Sequence, residues 1–213
     1  MTTSSSPRLL IATTSAGKLR EWQNLLANVP LRLVTLREAG IELEVDETGA
    51  TFEDNALLKA EAYGRASGLL TLAEDSGLAV SALDGAPGVH SARWEGDDYV
   101  HKNATLIRLL DGKLGAARAC SYECVAVLRH PNGNRWCAEG SLRGQIASLP
   151  AGSGGFGYDP IFFVPRLKKT LAQIPVDEKD RISHRGRAAR HIRSVLWRLI
   201  RSAATEQSPE SLG

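Results

Sequence analysis

A glycine-rich loop at residues 153–160 combines residue types that a folded chain rarely uses together without a ligand. Its glycines tolerate positive φ angles and let the backbone approach a ligand closely. Phe156 offers a flat face for stacking, and Asp159 offers a carboxylate that accepts hydrogen bonds. This combination suits a nucleobase. A turn before the apolar strand at 161–164 would use the same residue types, so the loop alone leaves both interpretations open.

Adjacent acidic residues that could bind a metal ion occur at three places, Asp46-Glu47, Glu53-Asp54 and Glu74-Asp75. The third pair follows an apolar run, and two adjacent carboxylates there cannot both point into a core. Carboxylate oxygens suit Mg²⁺ bridged to substrate phosphates, and such a site keeps a carboxylate ionised and able to deprotonate a water. A solvated acidic turn is the alternative for the third pair, and helix capping is sufficient for the second.

The segment Thr13 to Lys18 lies between a short apolar run and a helical pattern. Backbone N–H groups at the start of a helix, together with the helix dipole, form an anion site, and Lys18 adds a positive charge. The segment is not a Walker A loop, because the first glycine is missing and Leu19 replaces the magnesium-binding Ser or Thr. A plain strand-to-helix turn remains the alternative.

Four polar side chains gather at the entrance to the last predicted helix, namely those of Lys179, Ser183, His184 and Arg185. Ser183 can cap the helix. His184 and Arg185 are donors that could select the 6-oxo group of hypoxanthine or xanthine, whereas the 6-amino group of adenine would present a donor to a donor. Buried polar groups left unpaired make such discrimination strong. An exposed histidine at a helix start is the alternative.

The bulk composition is that of an ordinary globular domain, with 43% hydrophobic and 23% charged residues in a chain of 213. No run reaches the roughly 18 apolar residues of a membrane helix, and residues 1–8 lack the hydrophobic region of a secretion signal, so we expect a cytoplasmic protein. The net charge of +2 is too small to indicate a nucleic-acid groove, and the arginines at 181–201 suit a solvated helix face. Three cysteines without metal-binding spacing predict reduced core residues: Cys120, Cys124 and Cys137.

Hydrophobic periodicity predicts the elements that position these residues. In chain order they are a strand at 9–13, helices at 18–27 and 51–68, a strand at 69–73, a helix at 97–110, a hairpin of strands at 119–129 and 135–146, a strand at 161–164, and a helix at 185–202. The strand at 69–73 is expected to carry Glu74 and Asp75 at its carboxyl end, where α/β sheets bind ligands. We expect one domain at 8–202, with flexible tails at 1–7 and 203–213.

Six spaced motifs resemble those of the inosine/xanthosine triphosphate pyrophosphatase family. They are Thr13-Thr14-Ser15-Ala16-Gly17-Lys18 with Glu21, Glu47-Thr48-Gly49-Ala50-Thr51-Phe52 with Asn55-Ala56, Glu74-Asp75-Ser76-Gly77-Leu78, Pro87-Gly88 with Ser91-Ala92-Arg93, Gly154-Gly155-Phe156-Gly157-Tyr158-Asp159-Pro160, and Glu178-Lys179 with Ser183-His184-Arg185-Gly186. The resemblance runs in order from about residue 9 to residue 200.

The resemblance implies an α/β fold, with a long central mixed sheet flanked by helices and a cleft between two lobes. It also implies a homodimer and Mg²⁺-dependent hydrolysis of ITP, dITP and XTP to the monophosphate and pyrophosphate. Asp75 would be the proton acceptor and a metal ligand, and Glu47 and Glu74 would support the metal. The residues that would contact substrate are Thr13, Thr14, Ser15, Ala16, Gly17, Lys18, Ser76, Phe156, Gly157, Tyr158, Asp159, Lys179, His184 and Arg185.

Three positions depart from the family pattern. Ser15 replaces the usual Asn, Glu74 replaces the first of two aspartates, and Gln173 replaces a common Glu. Glu74 keeps the charge on a longer arm, which could reach a metal through a water. Two other functions stay open from the residues: a nucleotide pyrophosphatase of related fold, like the Maf proteins, and a non-catalytic nucleotide or RNA binder that uses the arginine-rich last helix.

Overall fold

The fold is built from seven strands and five α-helices, seen in a computed structural model that describes residues 6–206. In chain order they are β1 (Arg8–Ala12), α1 (Ala16–Leu26), β2 (Arg32–Thr35), α2 (Phe52–Ser67), β3 (Leu70–Val80), α3 (Tyr99–Leu109), β4 (Ala119–Arg129), β5 (Arg135–Ile146), β6 (Phe162–Val164), β7 (Lys169–Thr170), α4 (Val176–Ile182) and α5 (His184–Glu206). Most of the two expected tails, residues 1–5 and 207–213, lies outside the described range.

All seven strands form one mixed sheet in the order β2-β1-β3-β4-β5-β6-β7. β1 pairs in parallel with β2 and β3, whereas every later pair is antiparallel. The predicted hairpin is confirmed, since β4 and β5 have the predicted bounds and are joined by a turn in which Gly133 has a φ of 94°. The long mixed sheet of an α/β protein is likewise confirmed.

The central strand β3 is longer than its sequence pattern indicates. The apolar run predicts an end at Ala73, but β3 continues through Glu74 and Asp75 to Val80. The reason is its neighbour β4, which pairs with β3 from Thr71 to Val80. The two acids therefore lie within a strand, and it is β1 that ends beside them.

The helices cover both faces of the sheet. On one face, α1 and α5 pack over an apolar cluster that includes Trp22, Ile192 and Leu196. On the other, α2 packs over a second cluster that includes Ala56 and Tyr63. α2 has the predicted Thr51–Asp54 capping box and ends at Gly68 with a left-handed φ of 64°. α5 buries its apolar face and continues to Glu206, beyond the predicted end at residue 202.

A third apolar cluster fills the antiparallel half of the molecule, between β3 to β6 and α3. Its aromatic core stacks Tyr122 on Phe162, with ring centroids 4.7 Å apart. This half and the helix-covered half around β1 form the two lobes, and the cleft described below lies where they meet. The predicted two-lobed architecture is thus the one observed.

The cysteines are all free thiols. Cys120 and Cys124 are buried as predicted, but the prediction is wrong for Cys137, which is exposed. Cys137 lies on β5, whereas α2 packs mainly over β3 and β4 on that face of the sheet. Among residues 6–206, none of the helices has the length and apolar character needed to span a bilayer.

Candidate active site

The loop between β1 and α1 forms one wall of a cleft. β1 ends at Ala12, opposite Ala73 of β3, so the loop turns away just where the acidic residues of β3 begin. The first turn of α1 presents backbone N–H groups that have no helical acceptor. Ser15 caps the helix through its hydroxyl, which accepts a hydrogen bond from the backbone N–H of Lys18 at 3.4 Å. The predicted anion site therefore has the geometry of a capped helix N-terminus.

Lys18 projects from this turn toward the acidic pair on β3. Its Nζ lies 3.1 Å from Oε1 of Glu74 and 3.9 Å from Oδ1 of Asp75. Burial opposes the charge of Lys18, but the two carboxylates outweigh it and raise the pKa of the ammonium. Lys18 is therefore a fixed positive charge that contacts both acids.

Asp75 faces α2 and is buried. Its Oδ2 accepts a hydrogen bond from Nδ2 of Asn55 at 3.0 Å, and Nζ of Lys59 lies 3.4 Å from its Oδ1. Burial raises the pKa of Asp75, although Lys59 and Lys18 act in the opposite direction. A raised pKa makes a carboxylate a better general base near neutral pH, which suits the role that the resemblance implies for Asp75.

Glu47 lies on the far side of Lys59 from Asp75. The Lys59 ammonium contacts Oε1 of Glu47, and Arg93 donates to Oε2 of Glu47 at 3.3 Å. Burial raises the pKa of Glu47, but Lys59 outweighs it, and the net shift is downward. Glu47 and Asp75 therefore share one cation, which shows that both oxygens face a common position.

Glu74 and Asp75 point to opposite faces of the sheet, because successive side chains of a strand alternate. Glu74 contacts Trp22 of α1 and Arg185 of α5, whereas Asp75 contacts α2. Among residues 6–206, no three His, Cys, Asp or Glu side chains form a group that could hold a metal. Mg²⁺ is often held by one or two carboxylates that water and phosphate oxygens complete. Glu47 and Asp75 fit that donor set together with a phosphorylated ligand.

The aromatic loop lies over the start of α1. A Cβ added to Gly17 would lie 2.6 Å from Cγ of Phe156, so only glycine lets the ring come this close. Asp159 holds the loop, because its Oδ2 accepts a hydrogen bond from the backbone N–H of Phe156 at 2.8 Å. Tyr158 is buried, and its hydroxyl donates to the carbonyl oxygen of Ser91 at 2.8 Å. Phe156 is therefore presented by a braced turn.

A buried ionic network joins this loop to the helices. Lys179 contacts Asp159 and lies 2.7 Å from Oε1 of Glu21, while Oε2 of Glu21 contacts Arg185. Burial raises the pKa of Glu21, but Arg185 and Lys179 outweigh it and bring that pKa to about 2. Arg185 also forms a two-pronged pair with Glu74. Lys179 and Arg185, the two cations beside the aromatic loop, are thus each held by two carboxylates.

His184 begins α5 and stacks on Tyr122, with ring centroids 4.5 Å apart and an angle of 13° between the planes. It is 4% exposed. Burial and the neighbouring Arg185 lower the pKa of His184 to about 3, so the imidazole is neutral. Within the described residues its Nδ1 has no hydrogen-bond partner. A buried polar atom without a protein partner is open to a hydrogen bond with a water or a ligand.

Two neighbouring cavities, which share Lys18, Ala92, Tyr99 and Phe156 in their walls, bring most of the predicted residues together. A cleft of about 510 Å³ is lined by Thr13, Thr14, Ser15, Lys18, Glu47 and Phe156 among others. A small cavity of about 50 Å³ is lined by Lys18, Ser76, Phe156, Gly157, Tyr158, Asp159, Lys179, His184 and Arg185 among others. Gly17, Glu74 and Asp75 line neither cavity but contact residues that do. Ala16 also lines neither cavity and follows Ser15 as the first residue of α1.

Sequence reasoning missed two residues of this arrangement. Lys59 is four residues after Asn55 on α2, and residues so spaced lie on the same helix face; that spacing is the signal that could have identified it. Tyr99 lines both cavities, and its ring meets that of Tyr158 edge to face at 5.2 Å. No local pattern distinguishes Tyr99 from an ordinary helix residue.

An anion site at a helix N-terminus, a pair of carboxylates around Lys59 and a braced aromatic ring lie at or beside one cleft of an α/β fold, an arrangement that suits a phosphorylated aromatic ligand. The sequence model of the Ham1 family matches residues 9–195. The chain belongs to the Ham1 family.

Individual relatives agree with this assignment over nearly the whole chain. A Geobacter sulfurreducens protein named dITP/XTP pyrophosphatase is 44% identical over 183 residues, which is 85% of this chain and 92% of the relative. One of the same name from Desulforamulus reducens is 44% identical over 194 residues, 90% of this chain and 96% of the relative. The solved structure of a HAM1 protein from Coxiella burnetii superposes with a TM-score of 0.81 at 35% identity, covering 90% of this chain and 99% of that one.

Proposed function

We propose that the protein hydrolyses non-standard purine nucleoside triphosphates, namely ITP, dITP and XTP, to the monophosphate and pyrophosphate. The observation that carries the proposal is the position of Asp75, beside Lys18 of the anion site and opposite Glu47 across Lys59. A hydrolytic base is thus placed among the cations that would bind the phosphates. The two relatives named dITP/XTP pyrophosphatase support this substrate class.

The cleft binds the triphosphate. Backbone N–H groups at the start of α1 donate to phosphate oxygens, and three side-chain cations, those of Lys18, Lys59 and Arg93, line the same space. Charge on the transferring phosphoryl group is therefore met by fixed positive groups, which is the main source of catalysis in phosphoryl transfer.

Asp75 accepts the proton of the attacking water. The water oxygen forms a bond to the α-phosphorus, and the bond between that phosphorus and the bridging oxygen breaks. The electron pair of that bond leaves with pyrophosphate. Asn55 donates to one oxygen of Asp75 at 3.0 Å, which fixes the carboxylate and leaves the other oxygen to face Lys59 and the water. No covalent intermediate is needed.

Glu47 and Asp75 are the residues that would hold Mg²⁺. When bound, the ion would neutralise phosphate charge and favour the ionised state of the base. Glu74 lies on the other face of the sheet, apart from this pair, as its contacts with Trp22 and Arg185 require.

The small cavity receives the purine. Its volume of about 50 Å³ is far below the roughly 300 Å³ of the smallest ligand pockets, so side chains of its lining, which include Phe156, must move when a purine enters. Stacking tolerates any purine. Selection of a 6-oxo group therefore depends on the polar wall, where Lys179 and Arg185 carry N–H donors and where Nδ1 of His184 has no partner among residues 6–206.

A homodimer and a cytoplasmic location complete the proposal. The resemblance supports the dimer, which light scattering of the purified protein would measure directly. The substrate supports the location, because the nucleotide pool that the enzyme would clear lies in the cytoplasm.

The experiment that tests this function is pyrophosphate release from dITP, XTP, dATP, dGTP and the pyrimidine nucleotide dTTP, with Mg²⁺ and with EDTA. We expect Mg²⁺-dependent turnover of dITP and XTP and slow turnover of dATP, whose 6-amino group would present a donor to the donors of the cavity. dGTP also carries a 6-oxo group, so its turnover measures selection against the 2-amino group. Asp75→Asn should abolish turnover, whereas Glu139→Gln, an exposed carboxylate on β5, serves as the control. Preferential hydrolysis of pyrimidine nucleotides, or binding without turnover, would refute the proposal in favour of one of the other two functions.

A further inference from the structure

Glu74 is enclosed by hydrogen-bond donors from four parts of the fold. Its Oε2 accepts from Nε of Arg185 at 2.6 Å, from Nε1 of Trp22 at 3.0 Å and from Sγ of Cys124 at 3.3 Å. Its Oε1 accepts from Nη2 of Arg185 at 2.9 Å and from the Ser76 hydroxyl at 3.0 Å, and Nζ of Lys18 lies 3.1 Å away. A carboxylate offers about four lone-pair sites. Glu74 therefore has no acceptor capacity left for a metal ion.

The same contacts immobilise Arg185. Its Nε and Nη2 form a fork-to-fork pair with Glu74, Nη2 also donates to Ser76, and Nη1 contacts Glu21. Four of its five N–H groups are thus used within the described residues. Arg185 lines the small cavity, and its guanidinium carbon lies 5.7 Å from the centre of the Phe156 ring. The position of the remaining N–H is set by the carboxylates that hold the other four.

We propose that Glu74 is a positioning residue: it holds Arg185 in the orientation that discriminates between purine bases, and it does not bind the metal. This inference rests on the proposed function for its substrate class. The extra methylene of glutamate suits the task, because the carboxylate reaches the indole of Trp22 and the fork of Arg185 at once. Asp75, on the opposite face, lies with Glu47 at the end of the site that would bind the phosphates.

Two isosteric variants separate the two roles. Glu74→Gln removes the charge that fixes Arg185, and we expect the kcat/KM ratio of dITP to dATP to fall about tenfold, the effect of losing one hydrogen bond to a charged group. Its Mg²⁺ concentration for half-maximal activity should stay within about twofold of the wild-type value. Glu47→Gln should do the reverse. It should raise the Mg²⁺ concentration for half-maximal activity by about tenfold or more and leave the kcat/KM ratio of dITP to dATP unchanged.

A second pair of readouts does not depend on turnover. Calorimetry of dIMP binding in EDTA measures the contacts with the purine in the absence of metal. The affinity should fall about tenfold in Glu74→Gln and stay unchanged in Glu47→Gln. The Nε–H signal of Arg185 in ¹⁵N NMR, assigned with Arg185→Lys, should be sharp and slow to exchange in the wild type and lost in Glu74→Gln. If Glu74→Gln does not fold, Trp22→Phe removes one neutral donor from the same carboxylate and should act in the same direction by about threefold.

Each result bears on one proposal. A tenfold rise in the Mg²⁺ requirement of Glu74→Gln, or an unchanged Arg185 signal in that variant, overturns the positioning role. A wild-type protein that neither hydrolyses dITP nor binds dIMP refutes the proposed function instead, and the Arg185 signal then still decides whether Glu74 holds the guanidinium.

Discussion

His184 is a buried histidine that stays neutral in the folded protein, and we predict that it makes stability fall steeply as the pH drops from 7 to 5. The imidazole lies between Tyr122 and the ionic network, with Arg185 and Lys179 opposing a positive charge and with Glu21 and Glu74 favouring one. Burial is the largest influence, and the balance brings its pKa to about 3. Protonation in the folded state is therefore disfavoured throughout the range in which an unfolded histidine becomes charged.

The magnitude follows from the two pKa values. An unfolded histidine titrates near 6.5, so below that pH the unfolded state binds a proton that the folded state does not, and the free energy of unfolding falls with falling pH. Between pH 7 and pH 5 the change in log(1 + 10^(6.5−pH)), multiplied by 2.3RT, gives a loss of about 2 kcal/mol. The loss continues until the pH reaches the folded pKa of about 3.

Urea unfolding at pH 7, 6 and 5 measures this contribution. The variants are His184→Gln, which cannot titrate, and His191→Gln, which removes an exposed histidine of the same helix. The titrating groups other than the substituted histidine are common to the three proteins, so the difference in pH dependence reports chiefly on that histidine. We expect the wild type and His191→Gln to lose about 2 kcal/mol more than His184→Gln over this interval.

The comparison concerns the change with pH and not the absolute stability, because His184→Gln also disturbs the stack on Tyr122. Equal pH dependence in His184→Gln and the wild type would refute the reasoning. It would mean that His184 is protonated in the folded protein near neutral pH, and that the carboxylates of Glu21 and Glu74 outweigh burial.

Two further predictions concern the opposite faces of the sheet. Lys59→Met should lower kcat about a hundredfold, the effect of losing a fixed charge beside a transition state. It should also move the acidic limb of the pH–rate profile to higher pH, because Lys59 opposes the raised pKa of Asp75. Lys59→Arg, which keeps the charge, should retain most of the activity. Gly140→Ala should destabilise the protein by about 1–3 kcal/mol in urea unfolding, because its Cβ would lie 2.0 Å from the carbonyl oxygen of His184. Stability equal to the wild type would show that α5 can move away from β5 freely.

Local patterns were sufficient for much of the fold. The capping box at Thr51 and Asp54 and the left-handed Gly68 set the limits of α2 from within the helix itself. The Asn-Gly turn sets the register of the β4–β5 hairpin, whose bounds match the pattern of strand-forming residues. In each case the residues that decide the structure are neighbours in sequence, and their preferences need no tertiary contact.

The parts that sequence reasoning missed depend on distant partners. Nothing near Ala73 indicates that β3 continues, because the ladder that extends it comes from β4, some fifty residues later along the chain. Glu74 and Arg185 are separated by 111 positions, yet they form the most enclosed ion pair of the site. The motif resemblance brought both residues into one site but could not say that they contact each other or that Asp75 faces away from them.

That separation is a consequence of strand geometry. Side chains alternate along β3, so a shift of one residue in its pairing would exchange the faces of Glu74 and Asp75. Asp75, the catalytic base, would then lie beside Arg185, and Glu74 would lie beside Lys59. The continuous ladder with β4 from Thr71 to Val80 and the parallel pairing with β1 up to Ala73 both oppose such a shift. The long central strand, which contributes little apolar surface around its two acids, therefore serves to hold the two carboxylates on opposite faces of the sheet. It places Asp75 where the phosphates would bind and Glu74 where the purine would bind. Lys18 contacts both carboxylates and lies between these two parts of the site.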